Sequence, residues 1–492
     1  MQPPVEAVGW KKAMPVVGHE GGQLELLTKG QVCDLHVATL KVLEKIGVAV
    51  YSENALKLMD AAGAEVDYRS HVVKIPQSLV EEAIKKKPSS VTLCGRNRDF
   101  DIELKENRVF FGGASNAKHI LDLDGNHRLT RMSDVAEVTR FQDALRNVHV
   151  VMLPVIPEDA PEAGMNKAIY EVVMKNTSKH IASNADNVDS MRDQLKVAAI
   201  VSGGEEEMRK RAIISFILCF QSPLKYAKEN TDVLIECAKQ GIPVFIETDP
   251  MSGGTSPVTI AGTVVQQNAE VLCGITIAQM ANPGSPQIYC LAPSILDMRT
   301  TQVAPEAPEV SLIRAAIAQL CHLYRIPLSG DGQMTGSKIP DVQAGYEKMA
   351  STMMMALTGY NLITTGTGML EGCLGLNYEQ FLIDDEMYSM IYRILRGMEV
   401  SDRSLAEALD VIGRVGPMGS HYLTQKHTRE HLASEHWIPH IADRRRWEAW
   451  MESGAKGARD VANEIARGIL ATHRAEPLPE LVEQELAGTT QG

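Results

Sequence analysis

The chain has 492 residues, of which 44% are hydrophobic, and its formal net charge is -13 at pH 7. This length allows a large core, in two or three domains or in one barrel with additions. The basic residues are dispersed, which argues against a nucleic-acid-binding surface. No apolar run is long enough to cross a membrane and the start lacks the pattern of a secretion signal, so we expect a cytoplasmic protein without membrane insertion.

The first part of the chain predicts an N-terminal α+β extension over residues 1–107. Residues 1 to about 22 contain Pro and Gly with little periodicity, which indicates an extended arm. From Thr28 to Ala62 the apolar spacing is at first helical, and Gly47 interrupts it. A mixed section of short strands and helices then continues to about Glu106.

Eight apolar strand candidates alternate with helical patterns over residues 108–400. This alternation predicts parallel strands joined by right-handed crossovers, and eight such units form a (β/α)8 TIM barrel, which we expect to be the catalytic domain. A doubly wound open sheet is the structural alternative. The predicted strands are 109–111, 148–153, 180–182, 213–218, 244–246, 288–291, 326–328 and 362–363, and the predicted helices are 135–145, 165–174, 188–200, 233–238, 263–280, 312–320, 344–357 and 378–394.

The last part of the chain, residues 401–492, is helical and charged and predicts a C-terminal helical cap. The eight cysteines form no Cys-x-x-Cys pair, and several lie in apolar runs. Such cysteines are typical of reduced, packed thiols in a cytoplasmic protein. With two terminal extensions on a barrel, we also expect a homo-oligomer.

The working face of a TIM barrel is the C-terminal end of its strands. The segments that follow the predicted strands there are rich in Gly and small polar residues and contain no nucleophile–base pair. Glu247 and Asp249 flank one strand end, where either could face a cationic ligand or form a salt bridge at the rim. The segments are 112–116, 183–184, 221–223, 247–249, 292–294, 330–334 and 364–368, followed by Glu371.

Two further features, the Gly-rich turn and Met334, can each be interpreted as part of a binding site or as a purely structural element. The turn that contains Gly253 and Gly254 precedes a helix and could bind a carboxylate-sized anion through backbone N–H groups, or could simply cap the helix. Met334 lies in a loop with few apolar residues, where a methionine is more often a packing residue than a ligand contact.

The sequence His427-Thr428-Arg429-Glu430-His431 matches the H-x-x-E-H pattern of inverted zinc peptidases. On a helix its two histidines would lie on one face, as zinc requires. The pattern is short and lies outside the predicted barrel, in a segment that contains further histidines. A charged helix that docks or forms a subunit contact is the plainer interpretation, and we expect no metal site.

Several long segments resemble the trimethylamine methyltransferase family. They occur in the family's order and extend over nearly the whole chain, so the resemblance is highly specific. The segments are DPMSGGTSPVTIAG at 249–262, QNAEVL at 267–272, LDMRT at 296–300, TGSKIPDVQAGYEK at 335–348, GMLE at 368–371, VGP at 415–417 and HT at 427–428.

The resemblance implies a (β/α)8 barrel that transfers a methyl group from an amine to the cobalt of a separate corrinoid protein. It implies no tightly bound cofactor, because cob(I)alamin belongs to the partner and is the methyl acceptor. Founding members carry pyrrolysine just before the Thr-x-Ser-Lys stretch, and Met334 occupies that position here. Without the electrophilic pyrrolysine ring, the expected donor is an amine whose nitrogen is already quaternary.

For such a donor a neutral amine departs, so the enzyme's tasks are placement and desolvation rather than acid–base catalysis. Aromatic faces and carboxylates bind quaternary ammonium groups. Glycine betaine, which would leave dimethylglycine, is the first expected substrate, because its carboxylate could use the Gly-rich turn or Arg299. The expected catalytic residues are Glu247, Asp331 and Met334, and the expected substrate-binding residues are Asn116, Phe245, Asp249, Gly253, Gly254, Tyr289, Arg299, Gln333, Thr365 and Glu371.

Other functions stay open on the sequence alone. The sequence does not distinguish well between glycine betaine, proline betaine and carnitine as the substrate of this reaction. A zinc hydrolase that uses His427, Glu430 and His431 is an alternative of a different class, and a non-catalytic betaine-binding protein is a third.

Overall fold

The computed structural model describes residues 18–162 and 164–489. The extended arm predicted for the first 22 residues therefore lies almost entirely outside the described residues. Within these ranges, none of the helices combines the length and the apolar character that a membrane span requires.

In the described ranges, eight parallel strands form a barrel, and we label them β1 to β8 in chain order. Each strand pairs with its successor from β1 to β6, β8 pairs with β1, and β7 pairs with β8. Between β6 and β7 the Tyr289 N–H donates to the Pro327 carbonyl at 2.9 Å, which closes the circle. A doubly wound open sheet is thereby excluded. The strands are Arg108–Ala114, Val150–Met152, His180–Ser183, Ile214–Phe220, Val244–Thr248, Gln287–Leu291, Ser329–Gly332 and Leu362–Thr365.

A helix follows each strand and covers the outside of the barrel, as the helical periodicity predicted. The fifth helix, α5, is the longest and is buried over most of its length, because the N-terminal region packs on its outer side. The helices α1 to α8 are Met132–Ala144, Met165–Asn176, Val188–Ser202, Lys228–Gln240, Ile260–Ala281, Pro308–Tyr324, Val342–Leu357 and Tyr378–Leu395.

The position of β7 differs from the prediction. Residues 326–328 were predicted as the strand, but the strand is Ser329–Gly332. Its sequence Ser-Gly-Asp-Gly lacks the β-branched and aromatic residues that signal a strand, whereas Ile326 and Leu328 supply an apolar signal just before it. Asp331 therefore lies on a strand and not in the loop that follows.

The barrel interior is filled by apolar side chains and closed at its N-terminal end by a hairpin. The hairpin pairs Ser90–Leu93 with Ile102–Lys105. Because strand side chains alternate between faces, one set from each strand points inward. Hairpin and barrel side chains form one buried cluster, which includes Leu93, Leu104, Phe110, Val150, Met152, Ala182, Ile217, Phe245, Ile288, Cys290 and Leu362. The interior is thus a solid floor for any site at the other end.

The N-terminal region docks on the barrel through a shared sheet. The strand Lys225–Tyr226 precedes α4 and pairs with Val48–Val50. The strand His19–Glu20 pairs antiparallel with β1. The sheet continues with Val72–Lys74 and Glu65–Asp67, and the region's helical segments are Lys29–Lys41, Val42–Ile46 (a π-helix), Glu53–Ala61, Gln77–Lys86 and Arg98–Phe100 (a 3-10 helix).

The C-terminal region packs on the last barrel helices. Ala458–Thr472 lies against α8, and the Glu386 carboxylate of α8 accepts the backbone N–H groups of His440, Ile441 and Ala442 at 2.6, 2.7 and 2.8 Å. The division into 1–107, 108–400 and 401–492 stays a prediction, because docking does not test independent folding. The other helices are Asp402–Val415, Lys426–Glu435, Trp447–Glu452 and Glu480–Thr489.

A buried ion pair joins α7 and α8 beneath the loop that follows β8. Lys348 Nζ lies 2.7 Å from Asp384 Oδ2, and both side chains are completely shielded from solvent. Lys348 also donates to the Gly366 carbonyl at 2.8 Å, and Asp384 accepts the Gly368 N–H at 2.7 Å. The pair therefore fixes the backbone of the loop as well as the two helices.

We expect Lys348→Met to lower the free energy of unfolding at pH 7 by about 3–5 kcal/mol, because it leaves the Asp384 carboxylate buried without its counter-ion. Urea unfolding followed by circular dichroism measures this change. Arg403→Met is the matched control, because Arg403 pairs with Glu407 at 2.9 Å on an exposed helix. The control should leave the unfolding midpoint unchanged within error. Equal midpoints for the two variants would contradict the role of the buried pair.

Candidate active site at the mouth of the barrel

A cavity of about 200 Å³ opens at the C-terminal ends of the barrel strands. This is the end at which barrel enzymes carry their sites. The volume lies below the roughly 300–1,000 Å³ of pockets for drug-sized ligands, so it fits a small molecule. The lining residues are Ser115, Asn116, Met152, Asn184, Ile217, Cys219, Glu247, Asp331, Thr365 and Cys373.

Glu247 is the buried carboxylate of the cavity. It lies on β5 two residues after Phe245, so strand alternation turns it inward above the apolar floor. The Cys219 thiol donates to its Oε1 at 2.9 Å and the Cys290 thiol donates to its Oε2 at 3.1 Å. Thiols are weak donors. Burial raises the pKa of Glu247, and the charge of Asp249 at the rim raises it further.

Asp331 is the second carboxylate, on β7. The Thr365 hydroxyl donates to its Oδ1 at 2.5 Å. Enclosure by the protein raises the pKa of Asp331 well above its ordinary value, and the neighbouring Glu247 charge adds to this effect. The Thr365 hydrogen bond and the buried Arg314 guanidinium act in the opposite direction. The two carboxylates therefore disfavour each other's charge.

The rest of the cavity lining consists of an apolar floor towards the barrel interior and a wall that contains two asparagine amides. Met152 and Ile217 form the floor, and Asn184 Nδ2 lies 3.4 Å from Asn116 Oδ1 above the ends of β3 and β1. Within the described part of the chain, no Lys, Arg or aromatic side chain lines the cavity. Among the lining residues that the structure describes, the acidic or basic side chains are the two carboxylates, so the cavity suits a small cation with apolar substituents.

The backbone around the cavity is strained. Asn116, Thr365 and Cys373 have φ values of 56°, 73° and 75°. A positive φ is unusual for any residue with a side chain and is a real outlier for a β-branched threonine. A Cβ at Gly366 would meet the Gly332 carbonyl at 2.0 Å, so only glycine fits between the ends of β7 and β8. Strain of this kind is concentrated at functional sites.

Met334 does not line the cavity but contacts Cys373, which does. It is buried, and its Sδ lies 2.7 Å from the Cys373 thiol, which lines the cavity. The turn that carries Cys373 is tied to the segment after Met334, because the Glu371 and Gly372 N–H groups donate to the carbonyls of Ser337 and Thr335, each at 2.8 Å. A change at position 334 would therefore act on the cavity through Cys373.

A family profile described as trimethylamine methyltransferase (MTTB) matches residues 4–490. The chain belongs to this family. It is 38% identical over 468 residues to the trimethylamine methyltransferase MttB of Desulfitobacterium hafniense, which covers 95% of this chain and 93% of the relative. It is 33% identical over 426 residues to a glycine betaine methyltransferase of the same species, which covers 86% and 88%. The chain is therefore a methyltransferase, as the resemblance implied.

Among solved structures, the monomethylamine methyltransferase MtmB of Methanosarcina barkeri aligns with a TM-score of 0.50 and 13% identity. The alignment covers 92% of this chain and 95% of that chain. At this identity the likeness supports the barrel fold alone.

Four of the residues predicted for this methyltransferase site line the cavity: Asn116, Glu247, Asp331 and Thr365. The two aromatic candidates, Tyr289 and Phe245, are not among the residues that line the cavity. Tyr289 faces the helix layer, where its hydroxyl lies 3.4 Å from Asn268 Oδ1, because the inward position on β6 belongs to Cys290. Phe245 points inward but lies in the packed floor.

The predicted carboxylate-binding groups are not available for that role. The Gly253 N–H donates to the Ser256 carbonyl at 3.0 Å and the Gly254 N–H donates to the Met251 carbonyl at 2.9 Å, so the turn satisfies its own donors. Arg299 is largely exposed in the turn between the short strands Ser294–Asp297 and Gln302–Ala304, and its guanidinium lies 3.2 Å from the Asp297 carboxylate. Neither the turn nor Arg299 is among the residues that line the cavity.

The other predicted positions lie at the edge of the site. Asp249 is at the exposed rim, and Gln333 is fully buried and accepts the Thr367 hydroxyl at 2.6 Å. Glu371 Oε2 lies 3.2 Å from His127 Nε2. The sequence had not singled out Cys219, Cys290, Met152 and Ile217, although period-two alternation from Phe245 could have indicated such inward residues on neighbouring strands.

We expect Asp331→Asn to raise the free energy of unfolding by about 0.5–2 kcal/mol at neutral pH, a typical gain for a stabilising change. The folded state holds the proton on Asp331 to a higher pH than the unfolded chain, so the wild type loses stability as pH rises from about 4 towards the raised pKa. The gain should be near zero at about pH 4 and should grow with pH. Urea unfolding at several pH values measures it.

Asp443→Asn is the control for this experiment. Hydrogen bonds from Arg445 lower the pKa of the exposed Asp443 carboxyl, so its loss should not stabilise the fold at any pH. A stability gain for Asp331→Asn that is independent of pH, or absent, would contradict the raised pKa.

Proposed function

We propose that this methyltransferase moves a methyl group from a quaternary amine, first glycine betaine, to the Co(I) of a corrinoid partner protein and releases dimethylglycine. The observation that carries the proposal is the pair of enclosed carboxylates, Glu247 and Asp331, above an apolar floor. The partner and a homo-oligomeric state stay predictions.

The electrostatics favour a permanent cation. In a low-dielectric cavity two nearby carboxylates repel each other strongly, and the free protein reduces this repulsion by holding protons. A quaternary ammonium group carries a charge that pH cannot remove, so it stabilises both carboxylates in their charged forms. Its methyl groups match the apolar floor made by Met152 and Ile217.

The reaction needs no proton transfer. The Co(I) centre supplies the electron pair for the new carbon–cobalt bond, and the carbon–nitrogen bond breaks with its electron pair moving to nitrogen. The amine therefore leaves neutral. The protein's contribution is to hold the methyl carbon in line and to exclude water. Glu247 and Asp331 line the cavity, and in this chemistry they serve the charge of the donor and transfer no proton to the leaving amine.

Met334 supports a quaternary donor over a tertiary one. The resemblance places pyrrolysine at this position in founding members, and a methionine thioether offers no electrophilic ring. A tertiary amine would then lack the activation that its methyl transfer requires. The glycine betaine methyltransferase among the relatives supports the choice of first substrate.

The carboxylate end of a betaine has its best partners just after the ends of β1 and β3. Asn116, Asn184 and Ser115 offer amide and hydroxyl donors on the side of the cavity away from Glu247 and Asp331 in strand order. These neutral donors replace the Gly-rich turn and Arg299. Proline betaine and carnitine carry the same two charged ends and remain alternative substrates.

The hydrolase alternative has weak support. The His427 and His431 rings do share one helix face, with centroids 4.5 Å apart. However, Glu430 Oε1 lies 3.4 Å from Lys426 Nζ, and in the described part of the chain these three residues do not form a metal-ligand group. Their segment also lies outside the barrel mouth.

The deciding experiment incubates the purified chain with Co(I) cobalamin under anaerobic conditions and records methylcobalamin absorbance. We expect methyl-cobalt formation with glycine betaine, less with proline betaine or carnitine, and none with trimethylamine. Asp331→Asn is the matched variant: it should stay folded and lose most of the activity. No product with any quaternary amine would refute the proposal, and tight binding of a betaine without product would favour the binding-protein alternative.

We expect Asn116→Gly and Asn184→Ala to raise the KM for glycine betaine about tenfold or more, the cost of losing a hydrogen bond to a charged group. Glycine accepts the positive φ of position 116, so backbone strain does not confuse the result. The inhibition constant of tetramethylammonium, which lacks a carboxylate, should stay within about twofold. An equal loss for both ligands would show that these amides do not contact the carboxylate.

A further inference from the structure

A small sheet stands above the C-terminal ends of β1 and β8. Its hairpin pairs His119–Leu121 with His127–Leu129, and His119 is opposite Leu129 while His127 is opposite Leu121. The two histidines are therefore diagonal neighbours on one face, which brings long side chains within reach. Their rings stack with centroids 4.8 Å apart and an interplanar angle of 21°.

A carboxylate from a third segment completes the group. Glu371, in the turn after β8, places Oε2 3.2 Å from His127 Nε2. One ligand atom from each of His119, His127 and Glu371 lies within 4.8 Å of the other two. Ligand atoms on a tetrahedral zinc ion, with bonds of about 2.0–2.2 Å, are roughly 3.3 Å apart. An imidazole nitrogen coordinates in the plane of its ring, so the two stacked rings would have to rotate about their side-chain bonds to direct one nitrogen each at a common ion.

We propose that His119, His127 and Glu371 bind one divalent transition-metal ion of the Zn²⁺ type. Two imidazoles and one carboxylate suit zinc and its neighbours, whereas Mg²⁺ and Ca²⁺ prefer oxygen ligands. Three protein ligands leave a fourth position for water. This proposal departs from the expectation, drawn from the sequence, that the chain has no metal site.

The shielded Nδ1 atom of the half-buried His119 supports a ligand at this position. Its Nδ1 is shielded from solvent and has no hydrogen-bond partner among the described residues. Buried polar atoms normally have a partner, so an orphaned imidazole nitrogen within the group calls for an explanation. Metal coordination through the imidazole explains why two histidines and a glutamate converge here.

The ion would fix the rim of the active site. Cys373 lines the cavity two residues after Glu371, and the Glu371 N–H donates to the Ser337 carbonyl at 2.8 Å. Metal binding would thus join the hairpin after β1 to the turn that holds Cys373 and contacts the segment after Met334. The site lies outside the cavity lining, so its role is to position the rim and not to take part in methyl transfer.

The test uses the full chain after EDTA treatment and removal of the chelator, followed by addition of Zn²⁺ or Co²⁺ and removal of the unbound metal. We expect one Zn²⁺ per chain by elemental analysis, a visible Co²⁺ spectrum typical of a low-coordinate site, loss of that spectrum on adding Zn²⁺, and no competition by excess Mg²⁺. His127→Ala and Glu371→Gln should each weaken Zn²⁺ affinity at least about 100-fold, since loss of an outer-sphere partner alone costs 10–100-fold.

The control is the double variant His427→Ala/His431→Ala, which removes the other close histidine pair and should bind Zn²⁺ like the wild type. Circular dichroism confirms that each variant is folded, and His127 is an exposed residue whose loss the fold should tolerate. The proposal is overturned if the wild type binds no Zn²⁺, if His127→Ala and Glu371→Gln bind it as the wild type does, or if only the double variant loses it.

Discussion

The mutual repulsion of Glu247 and Asp331 governs the mouth of this barrel. Burial raises the pKa of Glu247, and enclosure together with the Glu247 charge raises the pKa of Asp331. The positive charge of the Arg314 guanidinium lowers the pKa of Asp331 and so opposes this effect. It acts at a distance, because in the described ranges the Arg314 nitrogens have no hydrogen-bond partner. A permanent cation in the cavity would relieve the repulsion, so its binding should release protons.

The rest of the barrel keeps these carboxylates in place. Thr365 holds Asp331 with its hydroxyl while its own backbone is strained at a φ of 73°. Gly366 and Gly368, which follow Thr365, are held by the helix layer. Lys348 donates to the Gly366 carbonyl, and Asp384 accepts the Gly368 N–H. The buried ion pair thus stabilises a strained loop, which explains why two charged groups lie in the helix layer at the cost of their solvation.

The sequence predicted the barrel because each strand–helix unit carries its own periodic signal, and only β7, with its Ser-Gly-Asp-Gly strand, escaped that signal. The sequence did not predict which side chains of each strand point into the barrel and which point towards the helices. A register error of one residue would place Tyr289 in the barrel interior and Cys290 in the helix layer, the reverse of what is found. The Gly253 turn looked like an anion site because the sequence does not show that its N–H groups are already bonded. His119, His127 and Glu371 come from two distant segments, and only the folded chain brings them together.

The direction of attack follows from the geometry of the cavity in the proposed reaction. An acceptor must approach from the open mouth, so in-line displacement requires the nitrogen to lie below the methyl carbon that is transferred. The other methyl groups then face the floor of Met152 and Ile217, and Glu247 and Asp331 flank the cation from the walls. The substrate's tail can leave this axis only sideways, where Asn116 and Asn184 lie. Asn116 and Asn184 should therefore determine which quaternary amine is preferred. Glu247 and Asp331 select the positive charge that all of these substrates share.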